Sequence, residues 1–95
     1  MQLKWTKRAL AQFNQAQEYI AQEDPQAAQA VAQRIADALQ LLLTQPHMGR
    51  VGRAVGTQEW VVVKTPYLIA YRVKGNDLTV LRVLHSKRRW PVRIR

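Results

Sequence analysis

The segment LRVLHSKRRWP, residues 81–91, gathers the residue types that nucleic-acid chemistry uses: a histidine, three consecutive cations, a tryptophan and a proline behind an apolar alternating run. RNA cleavage by 2′-hydroxyl attack needs a base for the 2′ proton, an acid for the leaving oxygen and cations on the phosphate. His85 is the only histidine of the strand-forming half and is therefore the acid–base candidate. Arg72, Arg82 and Arg88 could hold phosphate, and Trp90 could stack on a base, an interaction worth ~1–3 kcal/mol. Each residue also has a plainer reading. A histidine at a strand end can simply bond backbone, a charge run is commonly a solvated end, and Trp90 can pack back over a sheet and pin the tail. Lys87, Arg88 and Arg89 are consecutive, so an extended chain points them to alternating sides, and Pro91 stops a helix from running through them. His47, beside Pro46 and Met48, reads as a surface residue. Two separated histidines, with Glu59 and Asp77 the only acids of that half, predict no metal site, and no cofactor is expected.

The charge around these residues is one-sided. Lys4, Lys7, Arg8 and Arg34 balance Glu18, Glu23, Asp24 and Asp37 in residues 1–45, whereas residues 46–95 carry eleven Lys and Arg against two acids. The whole formal excess of +9 therefore lies in the second half. Such a distribution attracts polyanions, whether nucleic acid or an acidic protein segment. At 95 residues the chain is read as one domain, 1–95, with a modest core and no deep cavity. Cysteine is absent, and Lys4, Lys7 and Arg8 interrupt any apolar run at the N-terminus, so a soluble, cytoplasmic protein with no membrane partner is expected.

The elements that must position these side chains follow from periodicity. LKW alternates and precedes Thr6, a good helix N-cap, so a short strand is predicted. Ala9, Phe13, Ala16 and Ile20 recur at helical spacing over 7–22. Asp24 can cap a second helix whose first residue is Pro25 and which runs to about Thr44, burying Val31, Ile35, Leu39 and Leu42. The two helices form a hairpin. QPHMGRVGRAVGTQ loses all periodicity and reads as a basic loop through Arg50 and Arg53. EWVVVK, YLIAYRV and LTVLRVLH then read as an antiparallel meander, turning at Thr65-Pro66 and at KGND. The fold class is α+β, in the order β-α-α-β-β-β, with the helical hairpin packed on a small, mainly antiparallel sheet. Trp5 and Trp60 read as core or core-edge residues.

If KGND sets Val73 opposite Leu78, Tyr71 faces Val80, Ile69 faces Arg82 and Tyr67 faces Leu84, all on one sheet face. Arg72 and His85 then share the other face, about 20 Å apart at strand rise, too far to act on one bond.

The order of elements, with PHMGRVGRAVGTQEWVV, PYLIAYRV and LRVLHSKRRWP, resembles the RelE/ParE superfamily of toxins from bacterial type II toxin–antitoxin modules. The likeness covers almost the whole chain. It implies a toxin from a plasmid-stabilisation type of module, held in check by a cognate antitoxin with a flexible, acidic segment. Gln58 stands where many relatives carry arginine, and the C-terminal tyrosine of several RelE-like enzymes is missing. The helical link YIAQEDPQAA and the Leu-His strand end resemble ParE-like members, which implies inhibition of DNA gyrase by binding, through Arg50, Arg53, Arg82, Lys87, Arg88, Arg89 and Trp90. The alternative is a RelE-like, ribosome-dependent mRNA endonuclease with His85, Arg72 and Arg82 as its catalytic set.

Overall fold

A computed structural model describes residues 1–86. Strand β1 (Gln2–Trp5) leads into helices α1 (Lys7–Glu23) and α2 (Pro25–Thr44), followed by β2 (Arg50–Val51), β3 (Gln58–Val61), β4 (Tyr67–Lys74) and β5 (Asp77–His85). The five strands lie in the order β1-β5-β4-β3-β2, parallel between β1 and β5 and antiparallel elsewhere.

Both helices begin where local chemistry supplies a cap. The Thr6 hydroxyl accepts from the Ala9 amide at 3.0 Å, and one Asp24 carboxylate oxygen accepts from the Gln26 and Ala27 amides at 3.1 Å each. These bonds satisfy amides that a helix start leaves without partners. Ala9 of α1 and Ile35, Ala38, Leu39 and Leu42 of α2 are buried against one sheet face, formed by Tyr67, Ile69 and Tyr71 of β4 and Leu78, Val80 and Val83 of β5. Phe13, Ile20, Val31, Trp5 and Trp60 pack at the margin of this core. Each fully buried aliphatic side chain there contributes ~1.5–3 kcal/mol by leaving water.

The structure corrects the sequence reading in three places. Arg50–Val51 is a strand, so the sheet has five strands where four were expected. β3 ends at Val61, because the Thr65 hydroxyl donates to the Val62 carbonyl and accepts from the Tyr67 amide, closing a turn that holds Lys64 at φ 60°. The β4–β5 register begins as expected, with Val73 opposite Leu78 and Tyr71 opposite Val80. A bulge then leaves Leu81 without a partner, so Arg82 faces Ala70, Val83 faces Ile69, Leu84 faces Leu68 and His85 faces Tyr67. Beyond the bulge every side chain of β5 lies on the face opposite to the one anticipated.

Candidate functional site

The bulge decides which charged residues can cooperate. Directly paired residues share a sheet face, so Arg82 lies with Ala70 and Arg72 on the face away from the helices, while His85 lies with Tyr67 on the helix face. The His85 ring meets the Tyr67 ring edge-on, with centroids 5.4 Å apart. Arg72 and His85, expected on one face, therefore lie on opposite faces, and the same sheet separates His85 from Arg82.

The bulge keeps its freed carbonyl bonded. The Leu81 carbonyl, released from the ladder, accepts from the Thr6 hydroxyl at 3.3 Å and from Arg82 Nη1 at 2.9 Å. β1 pairs with β5 only as far as Val80, and the Val83 amide on the edge beyond donates to Gln12 Oε1 of α1 at 2.9 Å. Arg82 is only 2% exposed, and that burial, reinforced by the positive charge of Arg8, pulls its guanidinium below the ordinary arginine range.

The second constellation lies one strand further on. Arg50 is opposite Glu59, and Glu59 is opposite Ala70, so the row Arg50–Glu59–Ala70–Arg82 crosses four strands on the face away from the helices. Glu59 is 2% exposed. Its Oε1 accepts from Arg50 Nη2 at 3.3 Å, its Oε2 accepts from the Arg53 amide at 3.0 Å, and Arg53 Nε stands 3.9 Å from the same oxygen. One buried carboxylate therefore holds two arginines whose side chains remain 60% and 50% exposed.

Beneath this group, Tyr71 ties the loop to the core. Its hydroxyl donates to the Pro46 carbonyl at 2.8 Å and accepts from the Gly49 amide at 3.0 Å. Burial raises the phenol above its ordinary value, and the bond from Gly49 partly offsets that. A Cβ at Gly49 would overlap the Tyr71 hydroxyl and stand 2.9 Å from its Cε1, so only glycine fits. Gln58 donates to the Gly49 carbonyl at 3.0 Å from the Tyr71 side of the sheet. That contact gives Gln58 a structural task.

Of the residues singled out from the sequence, the structure brings Arg50 and Arg53 together and puts Arg72 and Arg82 on the same face. His85 stands apart, and His47 is exposed in its loop. Lys87, Arg88, Arg89 and Trp90 lie outside the described residues. Glu59, Tyr71 and Gln58 were not anticipated as organising residues. The available signal was Glu59 itself, one of two acids among the eleven cations of residues 46–95, standing beside Trp60 and Val61. No helix among the described residues is long and apolar enough to cross a membrane.

The profile of the family described as "ParE toxin of type II toxin-antitoxin system, parDE" matches residues 3–90. The chain is 39% identical to the protein Y4kP of Sinorhizobium fredii over 89 residues, covering 94% of this chain and 92% of that one. It is 38% identical to toxin RelE2 of Caulobacter vibrioides over 87 residues, covering 92% and 97%. Among solved structures, a chain of the chromosomal ParDE toxin–antitoxin system from P. aeruginosa superposes with a TM-score of 0.79 at 26% identity, covering 92% of this chain and 97% of that one.

Proposed function

We propose that this chain, which belongs to the ParE toxin family of type II toxin–antitoxin systems, inhibits DNA gyrase in the cytoplasm by binding it, and that a cognate antitoxin with a flexible acidic segment neutralises it. The observation that carries the binding reading is the placement of His85 and the arginines on opposite sheet faces. General acid–base cleavage needs the proton-transferring group within hydrogen-bond reach of a bond whose phosphate the cations also hold. His85 on one face and Arg72 and Arg82 on the other address different ligands. Arg50 and Arg53, by contrast, suit recognition. Glu59 holds both while at least half of each arginine side chain stays exposed, so carboxylates of a partner meet donors that are already ordered.

The test uses purified, antitoxin-free protein in a gyrase supercoiling assay and in an mRNA-cleavage assay on translating ribosomes, each with wild type and His85→Ala. Wild type and variant are expected to block supercoiling alike and to leave mRNA intact. Cuts in the ribosomal A-site codon that vanish in His85→Ala would replace this reading with the ribosome-dependent endonuclease. Normal supercoiling in the presence of folded protein would remove gyrase as the target.

A further inference from the structure

The face away from the helices carries a second cationic group toward the β1 edge of the sheet, beside the β4–β5 turn. β1, β5 and β4 lie side by side there, and register places Lys4, Thr79 and Arg72 in one row. The next row sets Asp77 opposite Lys74. These residues and Thr6 line an open concavity of about 430 Å³. Asp77 is its only acid, and it pairs with Lys4, Nζ to Oδ2 at 3.0 Å. Arg72 and Lys74 are exposed and have no anionic partner among the described residues, and no hydrogen bond there engages the Thr79 hydroxyl. With three cations and one acid among its described lining residues, these carry a formal charge of +2. Just beyond Thr6, the first turn of α1 adds Lys7 and Arg8, both exposed, and no acid.

We propose that this concavity binds the phosphodiester backbone of a nucleic acid. Its walls present the donors that phosphate contacts use, lysine, arginine and a threonine hydroxyl. The cations stand on three hydrogen-bonded strands, so binding does not have to order a loop. The site shares no residue with Arg50, Arg53 or His85, and the proposal does not depend on whether gyrase is the target.

Binding of a fluorescent DNA duplex to the full chain, followed by anisotropy over a range of salt, tests the proposal. Each phosphate contact contributes a slope of about 0.9 in log K against log salt, so R72Q/K74Q should lower the slope by roughly 1.8 and the affinity at 0.1 M salt on the order of 10- to 60-fold. Thr79→Val should weaken binding severalfold without changing any charge. R34Q/K64Q removes the same charge elsewhere and should change little. The proposal fails if wild type does not bind the duplex, or if R34Q/K64Q loses as much as R72Q/K74Q while all variants melt like wild type. It also fails if a polyglutamate peptide, but not DNA, depends on Arg72 and Lys74, an outcome that would assign the site to an acidic protein segment.

Discussion

Neutralising Glu59 without changing its shape, as Glu59→Gln, should loosen the arginine loop more than the small change in chemistry suggests. The carboxylate is buried and accepts from the Arg53 amide at 3.0 Å, a bond to a charged acceptor worth about 1.5–3 kcal/mol. An amide oxygen in its place still accepts, but as a neutral group worth about 1 kcal/mol. The ion pairs to Arg50 and Arg53 add less, because both guanidinium groups are at least half exposed and water screens them, at most about 1 kcal/mol together. The expected loss is ~1–2 kcal/mol, or a fall in Tm on the order of 4–16 °C for a domain of this size. Glu59→Ala should cost more, ~3–4 kcal/mol, since it leaves the Arg53 amide without its acceptor and a void beside it. Thermal and urea unfolding measure both, and hydrogen exchange at the Arg53 amide separates local from global effects. Equal stability of Glu59→Gln and wild type, with unchanged protection at Arg53, would refute the claim that this carboxylate organises the loop.

Tyr71→Phe keeps the ring but leaves the Gly49 amide and the Pro46 carbonyl without their partner, so urea unfolding should show a loss of ~1–3 kcal/mol. The raised phenol pKa has its own signature. The folded state holds this proton more tightly than the unfolded state, so the resulting stability is complete below about pH 10, the unfolded phenol value, and is lost as pH rises through the folded one. An ultraviolet phenolate titration should therefore show a late component in wild type that Tyr71→Phe lacks. Gly49→Ala drives a methyl group against the Tyr71 ring and the Glu59 carbonyl and should cost about 1–3 kcal/mol in the same assay. A neutral result would mean that the loop can move away from the ring.

The helices were legible because their signals are local. Thr6, Asp24 and Pro25 cap or start a helix through bonds that span two or three residues, and apolar spacing marks the buried side of each. The 46–57 segment was illegible because its order comes from elsewhere. Pro46 and Gly49 are held by Tyr71, 25 and 22 residues away in sequence, and Arg53 by Glu59. Glycine, proline and lost periodicity describe that chain correctly as irregular, yet they carry no information about a hydroxyl and a carboxylate contributed by later strands. Arg50 and Arg53 could be picked out as candidate contacts from charge alone, while the residue that positions them could not.

The β4–β5 register turns on a conflict that is visible in LTVLRVLH once the helix face is known. Strict alternation from Leu78 and Val80 would bring Arg82 next onto the helix face, beneath α1. A guanidinium there would take an apolar place in the core, where no acid and no free carbonyl meets it; on the other face Arg82 is still only 2% exposed, but its Nη1 donates to the Leu81 carbonyl. Val83 is the apolar residue available to continue the face, three positions after Val80 instead of two. One extra residue in β5 resolves the conflict: Leu81 leaves the ladder, Val83 enters the core and Arg82 turns to the face that also holds Arg72 and Arg50. The ladder loses little, because Thr6 and Arg82 itself satisfy the released Leu81 carbonyl. The same slip carries His85 to the helix face against Tyr67, away from the cations. The need to keep one arginine out of an apolar core thus separates the acid–base candidate from the cations and assembles the cationic face.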